Sequence, residues 1–75
     1  MAGQPVRASE VASRIDWLAL SEESQRAIPE IVLPLALGFS TREVADALGV
    51  KLSRVQTRLA RLRREIREQL DEADS

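Results

Sequence analysis

Apolar positions recur at helical intervals along most of this chain. Val11, Ile15 and Leu18 are spaced four and three apart, with Ala12 and Ala19 beside them. Ser9 precedes them as a helix N-cap and Glu10 falls in the first turn, where a negative charge suits the dipole. Ser21 followed by Glu22 and Glu23 marks a second start. Residues 27–37 are densely apolar and predict a buried helix, but Pro29 and Pro34 interrupt it. An interior proline removes a backbone donor and crowds the preceding turn, costing about 3 kcal/mol, so a break or kink into two short helices is expected. Gly38 supplies a left-handed stop. Ser40 and Glu43 then have the spacing of a capping box, with Phe39 and Val44 at the hydrophobic-staple positions. Val44, Ala45, Ala47 and Leu48 form a short apolar face that Gly49 ends. Leu52, Val55, Leu59, Leu62 and Ile66 follow at spacings of three, four, three and four, and Leu70 continues the stripe. They predict a last helix from about Leu52 to Leu70, about 28 Å long at 1.5 Å per residue. No β-hairpin signal occurs, so the expected fold is all-α, a compact domain of four to five helices.

With 75 residues the chain holds one domain. A chain of this size buries only about 60% of its extended surface, so it is marginal alone or helped by a partner. Residues 1–7 read as a flexible tail, 8–70 as the domain and 71–75 as an acidic tail. Cysteine and histidine are absent, which excludes disulfides, Cys/His zinc sites, thiol nucleophiles and an imidazole base. Ser53 lies near Lys51, but no oxyanion loop accompanies them. No enzyme, metal or cofactor is expected. Trp17 and Phe39 are the only aromatics, too few for a base-stacking platform, and Trp17 reads as a core or interface residue. No apolar run approaches the roughly 18 residues that span a bilayer, and residues 1–7 have no secretory pattern.

Charge changes the picture. The net value of −1 hides +6 over residues 51–67, −3 over residues 1–50 and −4 over residues 68–75. An arginine run on a helix is often only a solvated face. Here a turn motif precedes it: a short capped helix, Gly49, which can take positive φ, and a longer helix loaded with arginine. Ala45 is the small residue a close helix crossing needs, and Val50 and Val55 would lock the second helix onto the first. The pair, about residues 40–62, reads as a helix-turn-helix. In DNA readers, the second helix of such a pair enters the major groove.

The stretch Gly38-Phe39-Ser40-Thr41-Arg42-Glu43-Val44-Ala45-Asp46-Ala47-Leu48-Gly49-Val50, followed by Val55-Gln56-Thr57-Arg58-Leu59-Ala60-Arg61-Leu62, resembles the helix-turn-helix of bacterial sigma-70 region 4 and the related LuxR-type domain. The resemblance covers roughly residues 15–70. It implies that Lys51, Leu52, Ser53, Arg54, Gln56, Thr57, Arg58 and Arg61 occupy base-reading and phosphate-binding places, and that Ser40, Thr41 and Arg42 touch the DNA backbone. Arg63 and Arg64 would add phosphate attraction. Lys51 stands where the family usually has a Ser or Thr cap. Nothing here corresponds to the other sigma regions, which favours a stand-alone regulator.

The expected function is therefore a sequence-specific double-stranded DNA-binding transcriptional regulator, repressor-like, in the cytoplasm on the nucleoid of a bacterial or phage-infected cell. The second half of the long stripe needs a cover. Leu62, Ile66 and Leu70 could meet the chain's own Val11, Ile15 and Leu18, or these six could build a homodimer on a palindromic site. Alternatives are an adaptor or anti-activator docking on RNA polymerase, and a mobile-element architectural factor.

Overall fold

Side chains that accept leftover backbone N–H groups set the helix starts at Asp16, Ser21 and Ser40, and left-handed glycines set the stops at Gly38 and Gly49. The computed structural model describes residues 13–74. Among the described residues there are three helices, fewer than the four to five expected, and no strand. Most of the helix expected from Ser9 lies outside them, although Ser13 and Arg14 are helical. Asp16 then caps a short 3-10 turn, Trp17–Ala19, accepting from the Leu18 N–H at 3.2 Å.

The first helix, α1, is composite: Glu22–Ala27, a π-helical turn Ile28–Val32, and Leu33–Ala36. Ser21 caps it by accepting from the Ser24 N–H. The prolines interrupt its α-helical ladder, as expected, but through a π turn inside one helix rather than by a split into two. The Gln25 carbonyl, which would have accepted from residue 29, instead takes the Ile28 N–H. The Ile28 carbonyl takes the Leu33 N–H, five residues on, so the π turn reroutes the ladder around Pro29. Gly38, at φ 101°, ends α1. The Phe39 N–H bonds the Pro34 carbonyl and the Gly38 N–H the Leu35 carbonyl, both at 3.1 Å, the paired bonds of a Schellman stop.

Helix α2 spans Thr41–Leu48 and α3 spans Leu52–Asp74. α3 therefore runs past Leu70 through residues expected to be a tail. Nothing between Gly49 and the C-terminus is glycine or proline, and Gln69, Leu70, Glu72 and Ala73 are good helix formers. At 1.5 Å per residue α3 is about 34 Å long. α1 and α2 pack side by side against it. Leu20, Ala27, Ile31, Val44, Ala45, Val55, Leu59 and Leu62 form the core, with Ile28, Leu35, Leu48 and Ile66 half-buried against it. Val50 does not lock the helices as expected: it is 37% exposed, and Val55 does that work from full burial.

Candidate nucleic-acid interface

Helix α2, the first of the helix-turn-helix pair, is fixed at both ends. Ser40 Oγ accepts from the Glu43 N–H at 3.1 Å while Glu43 Oε1 accepts from the Ser40 N–H at 3.0 Å, so the capping box read from sequence is complete. Those bonds from Ser40 hold the Glu43 carboxyl below its ordinary value. At the other end Gly49 takes φ 69°. Its N–H bonds the Asp46 carbonyl at 3.2 Å, and the Val50 N–H bonds the Ala45 carbonyl at 3.0 Å. A Cβ there would meet no neighbouring atom, so the requirement for glycine is conformational rather than steric. Ala45 is buried with Val55, and its small side chain allows α2 to approach α3 closely.

The long helix has three longitudinal faces. Val55, Leu59, Leu62 and Ile66 make the apolar one. One residue before each of these, and before Leu70, stand Arg54, Arg58, Arg61, Glu65 and Gln69. A shift of one residue turns a helix by about 100°, so these five line the flank of the apolar stripe. There they meet the segment from Asp16 to Glu30. Gln69 and Asp16 exchange two bonds, the Asp16 N–H donating to Gln69 Oε1 at 2.7 Å and Gln69 Nε2 donating to the Asp16 carbonyl at 3.0 Å. Glu65 accepts the Ser21 N–H at 2.8 Å, the Ser21 hydroxyl at 2.8 Å and the hydroxyl of buried Ser24 at 2.6 Å. Arg61 pairs with Glu65 at 3.2 Å and with Glu23 at 3.3 Å. Arg58 pairs with Glu30 at 2.9 Å and lies 4.0 Å from Glu23, and Arg54 pairs with Glu23 at 3.0 Å. Burial pushes the Glu65 carboxyl up, but the Ser21 N–H, the Ser24 and Ser21 hydroxyls and Arg61 outweigh it and bring it down to about 2.

This seam corrects the reading of three candidate residues. Arg54, Arg58 and Arg61 are not presented as free cations: all three are paired within their own subunit. Arg58 is the extreme case, its side chain only 10% exposed, against 57% for Arg54 and 47% for Arg61. The cause is the flank position, which turns them toward Glu23 and Glu30, seven residues apart on α1. Sequence reasoning missed Glu23, Glu30, Glu65, Ser21, Ser24 and Gln69 as the ion-pair and hydrogen-bond partners of this seam. The signal was present: a polar residue directly before every member of an apolar stripe lies on its shoulder.

The third face is the outward one. Ser53, Gln56, Thr57, Ala60, Arg63, Arg64 and Arg67 are exposed on α3, and Lys51 is exposed at its start. Lys51, Arg63, Arg64 and Arg67 form no ion pair among the described residues. The Thr57 hydroxyl donates to the Ser53 carbonyl at 2.9 Å, which leaves its oxygen able to accept. Leu52 is half-buried and contributes to packing rather than to this face. On α2, Arg42 is exposed and free of ion pairs among the described residues, Thr41 is half-buried, and Ser40 is exposed with its hydroxyl engaged in the cap.

The six residues considered for a dimer separate as well. Ile15 and Leu62 are buried, at 6% and 4% exposure, and so already covered by their own subunit. Ile66 and Leu70 are half-buried and Leu18 is open, while Val11 lies outside the described residues. Beside Ile66 runs an open groove of about 460 Å³, walled by Trp17, Val32, Leu35, Leu59 and Ile66, with Arg63 at its edge. Comparison with protein-family models, with curated proteins and with solved structures finds no match to this chain. No helix among the described residues is long and apolar enough to cross a membrane.

Proposed function

We propose that this chain is a sequence-specific double-stranded DNA-binding regulator of transcription, working through the α2–α3 helix-turn-helix. The observation that carries the reading is the outward face of α3. It follows α2, fixed at its start by a capping box and at its end by a left-handed glycine, and it offers Ser53, Gln56, Thr57 and Ala60 with Lys51 before them and Arg63, Arg64 and Arg67 behind. Small and polar side chains at the start of the helix suit the major groove, whose base edges carry donors, acceptors and methyl groups. Gln56 is the residue matched to adenine, which a glutamine amide can bind through two hydrogen bonds. Unpaired cations farther along suit phosphates. Arg58 has no part in the contact; Arg64, Lys51 and Arg42 supply it.

The proposal includes a homodimer on a palindromic site, with two recognition helices in successive major grooves about 34 Å apart. Ile66, Leu70 and the walls of the adjacent groove are the apolar surface for it. Selection of bound duplexes from a random pool tests both parts. An enriched inverted repeat with adenine-bearing half-sites is the expected result, and a pool that stays random contradicts the reading.

One observation favours a second reading. The groove walled by Trp17, Val32 and Ile66 would fit an apolar helix of another protein, as expected of an adaptor that docks on RNA polymerase. Co-sedimentation with core polymerase, abolished by Val32→Asp while duplex binding persists, would support it over the homodimer.

A further inference from the structure

Glu23 occupies a singular position among the acids of α1. Its carboxylate faces three guanidinium groups at once, Arg54 at 3.0 Å, Arg61 at 3.3 Å and Arg58 at 4.0 Å. Two of the three have another carboxylate, Glu65 for Arg61 and Glu30 for Arg58. Among the described residues Arg54 has Glu23 alone. Arg54 also sits in the first turn of α3, between Ser53 and the apolar stripe, and more than half of its side chain is open to solvent. A long, exposed guanidinium at that place would be within easy reach of a duplex backbone lying along the outward face.

We infer that Glu23 is a brake on sequence-independent DNA binding: it neutralises Arg54 so that the cationic flank of α3 does not add to phosphate attraction. The inference rests on the DNA-binding reading above and names the residue that sets the size of the sequence-independent part of the affinity. The physics is direct. Non-specific affinity comes almost entirely from cations that replace counterions on phosphates, whereas discrimination comes from base edges. Removing one cation from that sum weakens attraction to every duplex alike and leaves the contacts of Ser53, Gln56 and Thr57 untouched. A carboxylate does this with a short ion pair, and because its Arg54 partner is 57% exposed and Glu23 itself only half-buried, the contribution of the pair to folding is small. Glu23 therefore acts on binding more than on stability.

The test is the salt dependence of binding to a random-sequence duplex, followed by fluorescence anisotropy with the full chain. Glu23→Gln keeps the shape and removes the charge. One extra unpaired cation should steepen the slope of log K against log salt by about 0.9 and raise affinity about tenfold near 0.1 M salt. Adding Arg54→Ala to that variant should return both to the wild-type values. Arg54→Ala alone, a change on an exposed side chain, should move non-specific affinity by less than about twofold, because the residue is already neutralised. A Glu23→Gln protein with wild-type slope and affinity, or a tenfold loss from Arg54→Ala alone, overturns the inference while leaving DNA binding intact. A wild-type chain that binds no duplex overturns the inference and the DNA-binding reading together.

Discussion

Two faces of one helix carry the same residue type to different ends. On the flank of α3, Arg54, Arg58 and Arg61 turn toward α1 and meet Glu23, Glu30 and Glu65. On the outer face, Arg63, Arg64 and Arg67 meet no acid among the described residues. What separates them is rotation about the helix axis, not composition or distance along the chain: Arg61 and Arg63 are two residues apart and face in different directions. An arginine-rich helix is therefore not one cationic surface. Part of its charge closes the subunit, and only the remainder is available to a polyanion.

Substitutions along the two faces should separate stability from binding. The largest effect is expected at Glu65, which accepts from two serine hydroxyls, a backbone N–H and Arg61. Glu65→Ala leaves those donors without their acceptor and should cost about 2–3 kcal/mol in urea unfolding. Its carboxyl, near 2 in the folded chain against an ordinary value of 4.5, binds protons less readily folded than unfolded. Stability should thus be fully present above about pH 5 and fall as the pH drops toward 2, a decline that Glu65→Gln should flatten. Loss of Arg58 comes next. Arg58→Ala should destabilise by about 1–2 kcal/mol, since it empties a nearly buried place and strands Glu30, itself partly solvated. Duplex affinity per folded molecule should stay close to wild type.

Arg64→Ala should reverse that pattern. Unfolding should be unchanged to within about 0.5 kcal/mol, while duplex affinity falls roughly tenfold near 0.1 M salt and the salt slope shrinks by about one. The smallest effect belongs to Arg26→Ala, which removes only a 3.2 Å surface pair with Glu22. It should cost less than about 0.5 kcal/mol by calorimetry and leave binding alone. Equal binding losses from Arg58→Ala and Arg64→Ala would erase the distinction between the two faces.

Local signals were legible in the sequence where a single turn decides the outcome. Ser40 with Glu43, Gly49, Gly38 and the Ser21 cap each act within a few residues, and each is where the spacing places it. The apolar stripe of α3 was equally readable, because a period of three and four leaves little choice of face. Pro29 and Pro34 mark the interruption of α1, but proline's local cost does not tell a π turn from a split, and here the π turn keeps one helix with Ile31 buried in the core. The partition of the arginines was hidden for a related reason. Charge counts add residues along the chain, while the ion pairs join positions such as Glu23 and Arg61, 38 residues apart, and depend on how α1 lies against α3. The complementary spacing of Glu23 and Glu30 was the available clue, and it becomes meaningful once the two helices are known to pack.

The most direct test of the central claim, that the outer face of α3 meets duplex DNA, is a backbone-amide NMR titration of the intact chain with a short duplex drawn from the selected pool. Shifts concentrated at Ser53, Gln56, Thr57, Ala60 and Arg64, with Glu30 and Arg58 still, are the predicted result. Shifts that instead gather at Trp17, Val32, Leu35 and Ile66, or no shifts at all at saturating duplex, would contradict it.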